Sequence, residues 1–179
     1  MKRIITISVI LILTASQFRC TSKQPSDEQK PLLVFLVRHA EKSDLSKDPE
    51  LSDSGKERAL ELVKILRSAN LEYVHSTDFI RTRETAKPTA EKFGLTTEIY
   101  YPSDLEALAQ KLRNKGGIHL VVGHSNTTPE IVGILGGKPV SKINEAGEYD
   151  RLYIVQVSDK NNASSILMRY GQPYLEQIE

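Results

Sequence analysis

The sequence predicts an α/β domain, a three-layer α/β/α sandwich in which helices cover both faces of a mostly parallel central sheet. Three observations carry that expectation. From Pro31 onward, short apolar runs alternate with amphipathic stretches, the order in which strands and crossover helices follow one another in parallel sheets. Two of those runs, residues 32–37 and 118–122, are rich in branched or aromatic side chains, as strands covered on both faces require. A length of 179 residues, 39% apolar and 26% charged, suits one compact domain and argues against a second.

The elements follow in order. Residues 32–37 form the first central strand. Ala59, Leu62, Val63 and Leu66 then recur at helical spacing from about Ser54, so one stripe faces the sheet while Lys56, Glu57, Glu61 and Lys64 stay in water. Residues 71–74 are a short strand, and a second helix runs over about 79–92, interrupted or tightened near Pro88 and ended by Phe93-Gly94. A strand at 95–99 precedes a helix capped by Ser103, whose apolar stripe is Leu105, Leu108, Ala109 and Leu112. Gly116-Gly117 closes it, and residues 118–122 make the second central strand. Thr128-Pro129-Glu130 opens a helix with proline at its first position, ended by Gly136-Gly137. Residues 152–157 and 164–169 alternate as a pair of edge strands joined through the polar turn 159–162. No internal repeat interrupts this series.

The amino end reads differently. Met1-Lys2-Arg3 is followed by an apolar run from Ile4 to Ala15, too short for a bilayer span but suited to a secretory signal. Residues 1–19 are therefore a signal sequence, 20–30 a polar linker and 31–179 the folded domain. Cys20, the one cysteine, sits where a bacterial lipoprotein signal places its lipid-bearing residue. Arg19 and Phe18 stand before it where a small residue is usual, so cleavage near residues 15–17 or an uncleaved anchor remain open beside lipidation. These features imply an exported protein, periplasmic or lipid-anchored to a bacterial membrane. A lone cysteine excludes an intrachain disulfide. A formal charge of +1 and the absence of Trp argue against a nucleic-acid partner.

Chemistry gathers where the central strands stop. Arg38-His39-Ala40-Glu41 follows the first strand and Gly123-His124-Ser125 the second; ligands of open parallel sheets bind at these carboxyl ends. A third segment, residues 76–86, is a strand-to-helix turn in which Arg81 projects toward the same rim. Arg83, about 200° further round the helix, turns away toward Glu84, Asp78 or solvent. The helix after His124 offers free amides and a positive dipole end to an anion. Taken singly, each histidine could instead be a packed or solvated residue.

Together the three segments resemble the histidine phosphatase superfamily. Arg38-His39 resembles its Arg-His motif, with Ala40 where glycine is commonest; Thr77, Arg81, Thr85 and Ala86 resemble its Ser/Thr, Arg, Thr-Ala pattern; Gly123-His124 resembles its late Gly-His pair; residues 51–55 resemble its Leu-Ser/Thr-x-x-Gly segment. The resemblance implies a phosphoglycerate mutase-like fold, His39 as the nucleophile that accepts a phosphoryl group, and Arg38, Arg81 and His124 as its anion-binding partners. Physical chemistry agrees. A neutral imidazole attacks through one nitrogen while the other keeps its proton, adjacent guanidiniums oppose protonation, and their forked donors grip phosphoryl oxygens. Two histidines between two arginines suit an oxyanion better than a cation, so no metal and no cofactor is expected.

Ser125, Asn126 and Thr77 are expected to support substrate binding from behind. Many relatives use an acid after the Thr-Ala motif. Glu98 and Asp104 lie there and Glu41 stands beside the nucleophile, and nothing in the pattern chooses among them. Each could equally be a surface or capping carboxylate: Asp104 stands near a helix start where a structural role fits better, and Glu41 could instead orient Lys42 or a pocket arginine. His75 and His119 fall outside the matching positions and are expected to be packed or exposed. Between Phe93 and Ile118 only one strand and one helix fit, which leaves no room for a large lid and implies a shallow pocket. That favours a phosphatase acting on a phosphorylated small molecule or phosphoprotein over a mutase, which must shelter its phosphohistidine from water. A phosphoglycerate mutase-like phosphotransferase and an exported, non-catalytic phosphate-ester-binding module are the alternatives. Oligomeric state is not legible.

Overall fold

The computed structural model describes residues 30–159 and 162–175. The residues expected to form a signal and nearly all of those expected to form a linker, Cys20 among them, lie outside the described residues. Among the described residues ten elements follow one another: β1 (Leu32–Arg38), α1 (Asp53–Leu66), β2 (Tyr73–Thr77), α2 (Ile80–Phe93), β3 (Thr97–Tyr100), α3 (Leu105–Lys115), β4 (Gly117–Gly123), α4 (Thr127–Ile134), β5 (Arg151–Asp159) and β6 (Asn162–Arg169). One sheet runs in the order β3-β2-β4-β1-β5-β6. Its first four strands are mutually parallel, while β5 is antiparallel to β1 and β6 to β5.

Strand alternation divides the core into two layers. Val34, Leu36, Val121, Tyr153 and Val155 pack against Leu105, Leu108 and Leu112 of α3, Ile131 of α4 and Leu135 just after it. Phe35, Val37, Leu120 and Val122 face the other way, toward Leu62 and Leu66 of α1 and Ala86 and Ala90 of α2. β1 and β4 are hydrogen-bonded neighbours, yet the helices that follow them cover opposite faces. Their carboxyl ends therefore open into the crevice of a topological switch point, where open α/β sheets bind ligands. Only β3 and α3 lie between residues 93 and 118, as the spacing predicts.

Four local expectations are corrected. α2 is continuous through Pro88; burial of Thr85, Ala86, Thr89 and Ala90 on its inner face outweighs the missing N–H. α3 is capped by Asp104, whose carboxylate accepts from the Ala107 N–H at 3.0 Å, rather than by Ser103. α4 begins at Thr127, with Asn126 at its cap position, so Pro129 is the third residue of its first turn, where no intrahelical N–H partner is lost. β5 is no edge strand: it is inserted between β1 and β6 and carries Leu152, Tyr153 and Val155 into the core.

Candidate active site

The site is assembled at the carboxyl ends of β1, β2 and β4. His39 follows β1, its N–H donating to the Gly123 carbonyl at the tip of β4 at 2.9 Å. The residue is 4% exposed, and its Nδ1 lies 2.8 Å from the Ala40 carbonyl. A carbonyl only accepts, so Nδ1 carries the proton and Nε2 keeps a free lone pair. Burial pushes the imidazole pKa down to about 3 against the pull of that carbonyl, with Arg38, His124 and Arg81 adding to the fall. At neutral pH His39 is an uncharged base presenting Nε2. Ala40 is itself held, its N–H donating to Thr85 Oγ1 at 2.9 Å.

His124 faces His39 across the crevice, the ring centroids 5.6 Å apart at 67°. Thr77, at the end of β2, donates its hydroxyl proton to Thr82 Oγ1 at 3.0 Å. It therefore accepts from His124 Nε2, 2.9 Å away, which leaves Nδ1 as the basic atom of that ring. Burial, then Arg81 and Arg38, lower the His124 pKa to about 4, with Asp48 opposing. The turn before α4 is tight: the His124 N–H donates to Thr127 Oγ1 at 3.0 Å. A Cβ at Gly123 would come within 2.8 Å of the Tyr100 hydroxyl and 2.9 Å of Thr127 Oγ1, so glycine is what lets the strand end this close. Asn126 is exposed and Ser125 half-buried at the amino end of α4, beside His124 in the chain.

The two arginines are held from outside, and each leaves its Nε unpartnered. Arg38 is 1% exposed. Its Nη1 donates to the Asn144 and Glu148 carbonyls, both at 3.1 Å, and Nη2 to the Glu145 carbonyl at 2.8 Å, while Tyr149 stacks beneath the guanidinium at 4.1 Å. Arg81 rests on the Phe79 ring at 4.5 Å, which in turn meets His124 edge-on at 5.1 Å; its Nη1 reaches Asp48 Oδ1 at 3.3 Å. In both residues Nε is buried and without a hydrogen-bond partner. Orphaned donors of this kind are costly unless a ligand supplies the acceptor. Arg83 turns outward to Asp78, one of the partners its spacing allowed.

The three carboxylates singled out in the sequence have other occupations. Glu41 grips Arg58 of α1 through both oxygens, at 2.7–3.0 Å. Glu98 pairs with Lys111 and Lys115 at 2.7 and 2.8 Å; burial would raise its pKa, but hydrogen bonds from these lysines outweigh it and hold the carboxyl at about 2, a poor proton donor. Asp104 is the α3 cap. The carboxylate that the fold does tie to the site is Asp48, which also accepts the Ile80 N–H at 2.9 Å and so fixes the start of α2. Neither Asp48 nor Tyr149 belongs to a motif; both sit in irregular segments without periodicity, and only an aspartate one residue before Pro49 hinted at a turn.

His75 and His119 pair with each other at 2.9 Å, fully buried, as packing residues. Among the described residues no group of three or more His, Cys, Asp or Glu side chains gathers as a metal site.

The sequence model of the histidine phosphatase superfamily (branch 1) matches residues 34–106, the stretch that holds Arg38, His39 and Arg81. Among curated proteins, none matches this sequence. Solved structures with the same fold include the protein histidine phosphatase SixA complexed with tungstate, 18% identical, with a TM-score of 0.64 over 77% of this chain and 97% of that one. Another is the mycobacterial glucosyl-3-phosphoglycerate phosphatase, 12% identical, with a TM-score of 0.59 over 78% of this chain and 98% of that one. The latter enzyme with inorganic phosphate superimposes at 0.56, 12% identical, over 76% and 95% of the two chains. By the match over residues 34–106, and on a fold shared with these phosphatases, the chain is similar to the histidine phosphatase superfamily.

Proposed function

We propose that the protein is a phosphatase that moves a phosphoryl group from its substrate onto His39 Nε2 and then onto water. The observation that carries this reading is the pairing of a lone pair on Nε2, dictated by the Nδ1 bond to Ala40, with two neighbouring guanidiniums whose Nε donors are buried and unpartnered. The neighbours supply independent support, since two of them hold tetrahedral oxyanions, tungstate and phosphate.

In the first step Nε2 attacks phosphorus, a P–N bond forms, and the P–O bond to the leaving oxygen breaks as that oxygen takes a proton. In the second, water attacks the phosphohistidine and releases inorganic phosphate. Arg38 and Arg81 donate from Nε to non-bridging oxygens, stabilising charge where it develops. A bound dianion raises the pKa of His124, so that Nδ1 takes up a proton and becomes a further donor. No metal is needed for these roles.

The connection after residue 93 is one strand and one helix, with no long insertion to close over a phosphohistidine, which suits hydrolysis better than mutase chemistry. The fold shared with a protein histidine phosphatase supports phosphorylated protein side chains as substrates beside small phosphate monoesters. Export rests on the basic start, the apolar run and Cys20. Incubation of the purified protein with p-nitrophenyl phosphate tests the reading: we expect turnover by the wild type and none by His39→Ala. Binding of phosphate without turnover by the wild type would leave an oxyanion-binding module instead.

A further inference from the structure

We propose that Tyr149 is a positioning residue of this site: one aromatic ring covers both the Arg38 guanidinium and the His39 imidazole, fixing the direction of the arginine and keeping water from the nucleophile. The proposal rests on the reading of His39 as nucleophile and Arg38 as phosphoryl ligand.

Arg38 has spent both Nη atoms on main-chain carbonyls of residues 144, 145 and 148, so the segment that carries Tyr149 also holds the guanidinium plane. The ring lies 4.1 Å from Cζ on that plane, and its centroid is 5.8 Å from that of His39 at 54°. A cation on an aromatic face is attracted by the ring quadrupole, most strongly where water is excluded. Tyr149 is only 8% exposed.

Its own position is imposed from both sides. Glu148, the residue before it, is buried against Arg151 at 2.6 Å and Arg169 at 3.1 Å. Asp150, the residue after it, binds Arg169 at 2.6 Å and accepts the Tyr174 N–H at 2.9 Å. Two anchored carboxylates thus clamp the chain on either side of the ring. An aromatic residue serving only as core would pack among apolar side chains; this one meets a cation and an imidazole.

The groups that face His39 are Arg38 from β1, Arg81 from α2, His124 after β4 and the Ala40 carbonyl. Arg38, Arg81 and His124 favour the neutral ring by charge, and the carbonyl opposes them. Burial is the largest influence, and Tyr149 contributes an apolar wall to it. Loss of the ring would hydrate the imidazole and let it protonate at higher pH.

The test compares wild type, Tyr149→Phe and Tyr149→Leu by two measurements, the pH profile of kcat/KM on p-nitrophenyl phosphate and the NMR titration of the His39 imidazole. We expect Tyr149→Phe to match the wild type in both. Tyr149→Leu should lose roughly tenfold in kcat/KM, and both its acid limb and its His39 titration should move upward by about one pH unit or more. A leucine variant with wild-type titration and acid limb, or a phenylalanine variant as impaired as leucine, would overturn the proposal. Should Tyr149→Leu not fold, Tyr149→Met replaces it with the same expectations. If the wild type turns over no phosphate ester, the functional reading fails, while the imidazole titration alone still decides whether Tyr149 shields His39.

Discussion

Glu41→Gln separates a structural carboxylate from a catalytic one. Glu41 stands two residues from His39, yet both its oxygens serve Arg58, whose side chain is 5% exposed. Arg58 Nε donates to the two oxygens at 2.9 and 3.0 Å and Nη2 to one of them at 2.7 Å. Its other donors reach the Tyr170 carbonyl at 2.6 Å and the Gln172 carbonyl at 2.9 Å, tying the last described residues to α1. An amide keeps the shape but removes the charge that balances the guanidinium, and turns an NH₂ toward its donors. Removing one partner of a buried pair costs about 3–5 kcal/mol. Glu41 is 21% exposed and the amide oxygen retains a bond, so we expect about 2–3 kcal/mol. That is a large part of the roughly 5–15 kcal/mol that holds a domain together. Urea unfolding followed by circular dichroism should show a lower midpoint at unchanged slope, while kcat, measured where the variant is folded, stays within about threefold of wild type. Unchanged stability with kcat reduced about a hundredfold or more would refute this reasoning and make Glu41 the proton donor.

Arg81→Lys replaces a plane stacked on Phe79 at 4.5 Å, with its orphaned Nε, by a point charge. We expect kcat/KM to fall about a hundredfold with little change in melting temperature, and an activity near wild type would show that Arg81 does not grip the phosphoryl group. Acid should unfold the protein partly through His75. Burial first, then His119, hold its folded pKa at about 3 against about 6.5 unfolded. Below pH 6.5 the unfolded chain binds a proton that the folded one refuses, so this contribution is complete above about pH 7 and declines from there toward pH 3, by up to about 1.4 kcal/mol per pH unit. The urea midpoint of His75→Gln should fall less steeply between pH 6.5 and 5 than that of the wild type; parallel slopes would place the titration elsewhere.

Much of this arrangement is legible in the sequence, because its carriers are periodic or punctuated. The runs at 32–37 and 118–122 lie within β1 and β4, and their ends locate His39 and His124. The stripe from Ala59 to Leu66 is the buried face of α1, and Ser52 and Gly55 mark its start: Ser52 Oγ accepts the Gly55 N–H at 3.1 Å, and a Cβ at Gly55 would fall 2.3 Å from the Glu41 carbonyl. What escaped depends on tertiary contact. Whether β5 is an edge depends on what β1 pairs with, which alternation along β5 does not encode. Tyr149 and Asp48 reach the site from irregular segments through partners about 110 and 30 residues away in the chain. Glu41 stands beside His39 in the chain as one of three candidate acids, and only its contact with Arg58 shows where its charge is spent.

The most direct test is to trap the phosphoryl group itself. A ³²P-labelled aryl phosphate monoester is mixed with the protein, quenched in alkali within the first turnover, and the digest is mapped by mass spectrometry. We expect base-stable, acid-labile label on the peptide that contains His39, and none in His39→Ala. Label on any other residue, or turnover undiminished in His39→Ala, would contradict the central claim that His39 is the nucleophile.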